Sequence, residues 1–158
     1  MGKILVAYFS ASGVTAGVAK RLAKVTHADL FEIRPQVPYT EEDLNWTDRE
    51  SRSSVEMRDP DCRPALADAL PNISEYDVVF VGFPVWWYRE PSIVDTFISG
   101  CDLTGKTVVP FATSGGSEIG PSGDNIQALA PKATVRKGQR FDANVSEEDL
   151  SNWANQWL

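Results

Sequence analysis

Lys3-Ile4-Leu5-Val6-Ala7-Tyr8-Phe9-Ser10-Ala11-Ser12-Gly13-Val14-Thr15 is the stretch whose reading decides the fold. Its first seven residues are a nearly continuous apolar run. They lack the alternation of a strand with one wet face, and so predict a strand covered on both sides. A small polar loop follows, and Val14, Val18, Leu22 and Val25 then recur at helical spacing. Strand, tight loop and helix in that order begin an α/β domain. Outward from this unit, strands are expected at Ala28 to Ile33, Tyr76 to Phe83, Thr107 to Ala112 and Ala133 to Lys137. Helices are expected from about Pro64 to Leu70, from Pro91 to Gly100 and from Ser122 to Ala130. A last one starts at Ser146-Glu147-Glu148-Asp149 and carries Leu150, Trp153, Trp157 and Leu158. Strands alternating with helices call for a parallel sheet with right-handed crossovers, hence a three-layer, doubly wound, five-stranded α/β fold. Residues 36 to 63 interrupt the rhythm. They carry many charges, with Trp46 and Met57 as isolated large apolar groups, and read as an ordered excursion holding at most short helices.

A chain of 158 residues, 42% hydrophobic, suits one compact domain over residues 1–158. The apolar run from Ile4 to Phe9 is too short for a signal-peptide core or a membrane span, so the expected location is the cytoplasm. A formal charge of −7 argues against nucleic acid or an anionic membrane as partner and favours a protein with a basic surface. Cys62 and Cys101 have neither the number for a disulfide framework nor the spacing for a metal. The single histidine, His27, lies far in sequence from the loops considered next, and Asp29 and Glu32 read as solvated strand-end charges.

In an open parallel sheet the ligand crevice lies beyond the carboxyl ends of the strands where strand order reverses, which singles out the loops after the first, third and fourth strands. Ser10, Ala11, Ser12, Gly13, Val14 and Thr15 put hydroxyls and free backbone N–H groups at a helix N-terminus, where a phosphate is favoured. No Lys or Arg is present, against a Walker loop, and GxGxxG is absent. Pro84, Val85, Trp86, Trp87 and Tyr88 place three adjacent aromatics after a buried strand; not all can enter one core, so some face the crevice as a stacking surface. Thr113, Ser114, Gly115 and Gly116 offer hydroxyls and close backbone approach. The three loops together describe a ligand with one phosphate and one large planar heterocycle.

Phe9-Ser-Ala-Ser-Gly-Val-Thr15, Gly82-Phe-Pro-Val-Trp-Trp-Tyr88 with Pro91, and Phe111-Ala-Thr-Ser-Gly-Gly-Ser117 resemble the phosphate loop and the two flavin-flanking loops of the flavodoxin family, in a bacterial branch with a PVWW loop. The resemblance spans essentially the whole chain. It implies FMN, strand order 2-1-3-4-5 and one-electron traffic at the exposed flavin edge, with Ser10 to Thr15 at the phosphate and Pro84 to Tyr88 and Thr113 to Gly116 at the ring. Two departures stand out. The third loop has no aromatic after Thr113, so Trp46 is the candidate to cover the second ring face. Residues 84 to 90 contain no glycine and so resist a positive-φ conformer. That predicts weak stabilisation of the half-reduced flavin unless Gly115 or Gly116 supplies a flexible peptide.

What the resemblance implies is a monomeric electron carrier between a flavodoxin reductase and a downstream redox protein, with no catalytic residue and no metal. The rival is a flavodoxin-fold NAD(P)H oxidoreductase acting on a quinone or other small acceptor. It requires a pocket over the flavin and a basic group for the nicotinamide phosphates, for which Arg89 and Arg49 are the candidates. A non-redox module like a response-regulator domain would need an acidic cluster after the first strand, and Ser10 to Thr15 holds no carboxylate.

Overall fold

Apolar strands and amphipathic segments alternate along the chain, and the computed structural model, which describes residues 3–114 and 116–158, folds them accordingly. In chain order the elements are β1 (Lys3–Tyr8), α1 (Val14–Thr26), β2 (Asp29–Glu32), α2 (Arg52–Arg58), β3 (Tyr76–Pro84), α3 (Ser92–Gly100), β4 (Thr107–Thr113), α4 (Ser122–Leu129), β5 (Thr134–Val135), β6 (Gln139–Phe141) and α5 (Glu147–Ala154). The sheet runs β2-β1-β3-β4-β5 with every pair parallel, and β6 adds to β4. The doubly wound order 2-1-3-4-5 is therefore the one observed.

Period-two alternation along each central strand splits the core into two layers. Leu5, Ala7, Val79, Val81, Phe83 and Val108 face one side with Ile93, Val94 and Phe97 of α3 and Ile126 of α4. Val6, Tyr8, Phe80, Val109 and Phe111 face the other with Val18 and Leu22 of α1 and Leu150 and Trp153 of α5. Trp153 meets Phe80, Phe141 and Trp157 with ring centroids 5.0–5.6 Å apart, which anchors the last helix. Ser146 caps that helix by accepting the Asp149 N–H at 3.1 Å.

Two expectations are corrected. The segment Pro64 to Leu70 is not helical. Ala65 C=O accepts the Gln36 N–H, the Ala67 N–H donates to Arg34 C=O, and Arg34 grips Asp68 through two bonds of 2.8 Å. Good helix formers are here overridden by pairing with the start of the excursion. The single strand Ala133 to Lys137 is instead two short strands. Pairing steps from Val108↔Val135 to Phe111↔Gln139, so the edge strand holds one extra residue opposite Val109 and Pro110. Pro110 brings no N–H to the ladder there. Among the described residues, no helix is long and apolar enough to cross a membrane.

Candidate functional site

At the end of β1 the chain turns through Gly13, whose φ of 93° is the left-handed geometry that a Cβ disfavours. Gly13 is the N-cap of α1 and provides no side-chain cap, and no acid sits in the first turn. The first N–H groups of α1 thus face outward without an intrahelical or side-chain acceptor, as an anion requires. Ser10 Oγ accepts the Gly13 N–H at 3.1 Å and shapes the loop. Ala11 is half-buried, while Ser12 and Val14 are exposed at the mouth. Thr15 is buried, and its hydroxyl lies 2.7 Å from that of Thr113, joining the first loop to the third. Arg34 lines the adjoining cleft with Ser10, Ala11 and Tyr39, but its guanidinium is committed to Asp68.

The loop after β3 makes a two-residue turn. Trp86 N–H donates to Arg89 C=O at 3.0 Å and Arg89 N–H returns to Trp86 C=O at 3.1 Å, with Trp87 at φ 46° and Tyr88 at φ 67°. Positive φ at both central residues is the hairpin geometry usually left to Asn and Gly. The expectation that a glycine-free loop avoids positive φ is therefore overturned. The turn packs closely on Gly120, itself at φ 61°, where a Cβ would come within 2.5 Å of Tyr88 C=O. The turn also sorts the three aromatics. Trp86 points inward, edge-on to Phe9 at 5.4 Å and to Tyr39 at 5.3 Å. Trp87 and Tyr88 point out, 39% and 77% exposed. Pro84 pairs with Thr113, and the Val85 N–H donates to Thr113 C=O at 3.2 Å, so the second and third loops share a base.

In the third loop Thr113 is buried, and Ser114 is held by Arg140, whose Nε donates to Ser114 Oγ at 3.0 Å and whose Nη2 donates to its carbonyl at 2.8 Å. Asp142 neutralises Arg140 at 2.6 Å. Gly115 lies outside the described residues; Gly116 is exposed. Arg140 was not found from sequence, because the expected strand ended at Lys137 and β6 carries it back.

The excursion supplies a wall. Leu44, Trp46 and Ser53 face Val85, Trp86, Trp87, Tyr88 and Ser117 across a cleft of ≈ 400 Å³, and Trp46 is 74% exposed at its rim. Tyr39, which sequence reading also missed, ties this wall to the first two loops: its ring meets Phe9 and Trp86, and its hydroxyl donates to Glu56. Burial and that carboxylate hold its phenol well above the usual range. Arg52 lies 3.9 Å over the Tyr39 ring and donates to Glu56 at 3.0 Å and to Val37 C=O at 2.6 Å. Ser92 Oγ and Arg89 Nη2 each donate at 3.3 Å, to the Glu56 and Met57 carbonyls respectively, fastening α2 to the core. Arg89, the candidate for nicotinamide phosphates, is thus occupied: it also reaches Asp95 at 3.5 Å and Glu90 at 3.8 Å. Arg49 is exposed on the excursion.

Against known proteins, the flavodoxin family model matches residues 3–157. A protein of Bacteroides uniformis ATCC 8492 assigned as a flavoprotein shares 45% identity over 98% of each chain, with a TM-score of 0.92. Its counterpart from Bacteroides eggerthii DSM 20697 shares 47% identity over 99% of this chain and 98% of that one, TM-score 0.93. A flavoprotein of Lactobacillus acidophilus NCFM, solved in complex with FMN, has the same fold at 20% identity, 98% and 99% coverage and a TM-score of 0.71. No curated protein matches. With its strand order, its three converging loops and a family match over nearly its whole length, the chain belongs to the flavodoxin family.

Proposed function

We propose that this flavodoxin binds FMN and carries electrons from a reductase to a redox-protein acceptor. The observation that carries the reading is the joining of three loops at the carboxyl ends of the central strands. An uncapped α1 N-terminus is tied through Thr15 and Thr113 to the loop beside an aromatic cleft. Residues Ser10 to Thr15 would hold the phosphate by backbone N–H groups and hydroxyls, without a side-chain cation. Trp86 is half-buried in the cleft lining against Phe9 and Tyr39, and the more exposed Trp87, Tyr88 and Trp46 would flank the isoalloxazine with it, with Thr113, Ser114 and Gly116 at its polar edge. When bound, FMN supplies the redox chemistry; the protein's part is orientation and charge. The excursion carries Glu41, Glu42, Asp48 and Glu50, all exposed and close in sequence to Leu44 and Trp46 of the cleft wall, which suits an acceptor with a basic docking face.

The enzyme reading, an NAD(P)H oxidoreductase, is supported by the size of the cleft and by its Trp46 rim. Against it stands the occupation of Arg89 by Glu90, Asp95 and the Met57 carbonyl, which leaves no ready cation at that loop for a nicotinamide phosphate. Titration of the flavin-free chain with FMN and with riboflavin tests the binding site. Two charge-assisted phosphate bonds are worth about 3 kcal/mol together, so FMN is expected to bind ~100-fold tighter. Equal affinities would overturn the phosphate assignment.

A further inference from the structure

Immediately behind the Trp86–Arg89 turn lies a second polar site that the flavin reading leaves unused. Glu90 and Asp95 are both buried, 1% and 4% exposed, and both line a cavity of ≈ 260 Å³ with Arg63, Arg89 and Asn125. Asn125 Nδ2 donates to Glu90 Oε1 at 3.1 Å. Arg89 Nη1 lies 3.8 Å from Glu90 and 3.5 Å from Asp95, and Arg63 Nη1, from the excursion, lies 4.0 Å from Asp95. These ion pairs are long for charge-assisted bonds, which close to about 2.7–2.9 Å. Among the described residues, Asp95 Oδ1 has no hydrogen-bond partner, although it is sealed from water. A buried carboxylate oxygen without a donor is costly, whereas a protonated one becomes a donor to its neighbouring carboxylate. Burial, then the hydrogen bond and charge of Glu90, accordingly push the Asp95 carboxyl up to about 8, against the opposing pull of Arg89 and Arg63.

The same residues close the strained turn. Arg89 ends it and Glu90 follows it directly, while Arg89 also grips the Met57 carbonyl of α2. We propose that Glu90 and Asp95 share one proton, and that this shared proton positions the Trp86–Arg89 turn, so that the geometry of the aromatic cleft depends on it. Loss of the proton leaves two negative charges together in a buried site. One carboxylate is then driven towards the cavity, drawing Arg89 and Arg63 with it and releasing the turn from α2. Every charged group facing the pair takes part: Arg63 from the excursion and Arg89 from the turn. Asn125 is the neutral donor from α4.

The test begins on the flavin-free chain, and only its last arm rests on the FMN reading. Carboxyl ¹³C shifts of Glu90 and Asp95 are followed from acid to pH 9, together with the Trp87 and Tyr88 amide signals. The expected result is that one carboxyl proton survives through neutrality and leaves in the alkaline range, with both turn amides moving at the same pH. Asp95→Asn, and separately Glu90→Gln, should abolish that alkaline transition. Two carboxyls titrating fully in the acid range would overturn the proposal, and so would turn amides that stay still while the proton leaves. Neither observation needs a variant to fold. In the last arm, FMN affinity of the wild type should weaken several-fold from pH 7 to pH 9 and that of Asp95→Asn should not. An affinity that holds constant in the wild type would count against the coupling. A chain that takes up no FMN at either pH would instead overturn the cofactor reading, leaving the carboxyl and amide titrations to decide the proton.

Discussion

Trp87 and Tyr88 are held in a backbone region that costs a side-chain-bearing residue about 1–2 kcal/mol each. Tyr88 is mostly exposed and gains little packing in return. Strain kept at an exposed aromatic beside a cleft is the pattern of a functional constraint. Tyr88→Gly is therefore expected to raise stability in a denaturant melt by up to about 1 kcal/mol, while weakening flavin affinity. Loss of stability together with unchanged affinity would contradict a functional origin for the strain. Gly120→Ala works the opposite way. A Cβ there meets the Tyr88 carbonyl at 2.5 Å and forces a positive φ on alanine, so destabilisation of about 1–3 kcal/mol is expected from equilibrium unfolding. Asp95 makes a prediction about pH. Its folded value of about 8 lies above the ordinary 3.8, so between those values the folded chain keeps a proton that the unfolded chain gives up. Its contribution to stability therefore declines as pH rises through that window and is flat above it. Asp95→Asn should remove this decline, raising the melting temperature more at pH 8 than at pH 5; an equal change at both would contradict the assignment.

At the scale of elements, legibility in the sequence followed burial. β1, β3 and β4 are covered on both faces, and their unbroken apolar runs fixed their place at once. The turn from β1 into α1 was equally plain, because a small polar run with a glycine between a buried strand and an amphipathic segment marks where a helix starts. The edge was not. β5 and β6 are two and three residues long, split by a bulge, and too short to set a period. With β6 went Arg140, whose hold on Ser114 no spacing reveals. Pro64 to Leu70 shows the converse, a strong helical composition losing to long-range pairing with Arg34 and Gln36. The wall of the cleft rests on α2 and on Arg52, which ties Tyr39, Glu56 and the Val37 carbonyl. Arg52→Ala is expected to cost about 1–3 kcal/mol through the partners it leaves unpaired. Proteolytic nicking within residues 36–63 should appear under conditions where the wild type resists. An unaltered cleavage pattern would mean that the excursion is held by its apolar contacts alone.

Over the whole molecule, a five-strand parallel path with helices on both faces brings three sequence-distant loops together at the carboxyl ends of the central strands. That convergence could be read from the order of strands, but which aromatic turns inward could not, since it depends on the Trp86–Arg89 turn. The long-range ties between loops, Thr15 with Thr113 and Tyr39 with Trp86, are likewise products of the packed fold. The charge of −7 acts at this scale too, as a field that would attract the proposed basic acceptor and is screened by salt. Electron transfer from the reduced chain to a basic acceptor should therefore slow as ionic strength rises, with stopped-flow mixing as the check. The most direct test of the account is anaerobic addition of NADPH to the FMN-loaded chain, followed by its visible absorption, first without and then with a generic flavodoxin reductase. The account predicts that the flavin bands persist with NADPH alone and bleach once the reductase is present; bleaching by NADPH alone would contradict the carrier and establish the chain as an oxidoreductase in its own right.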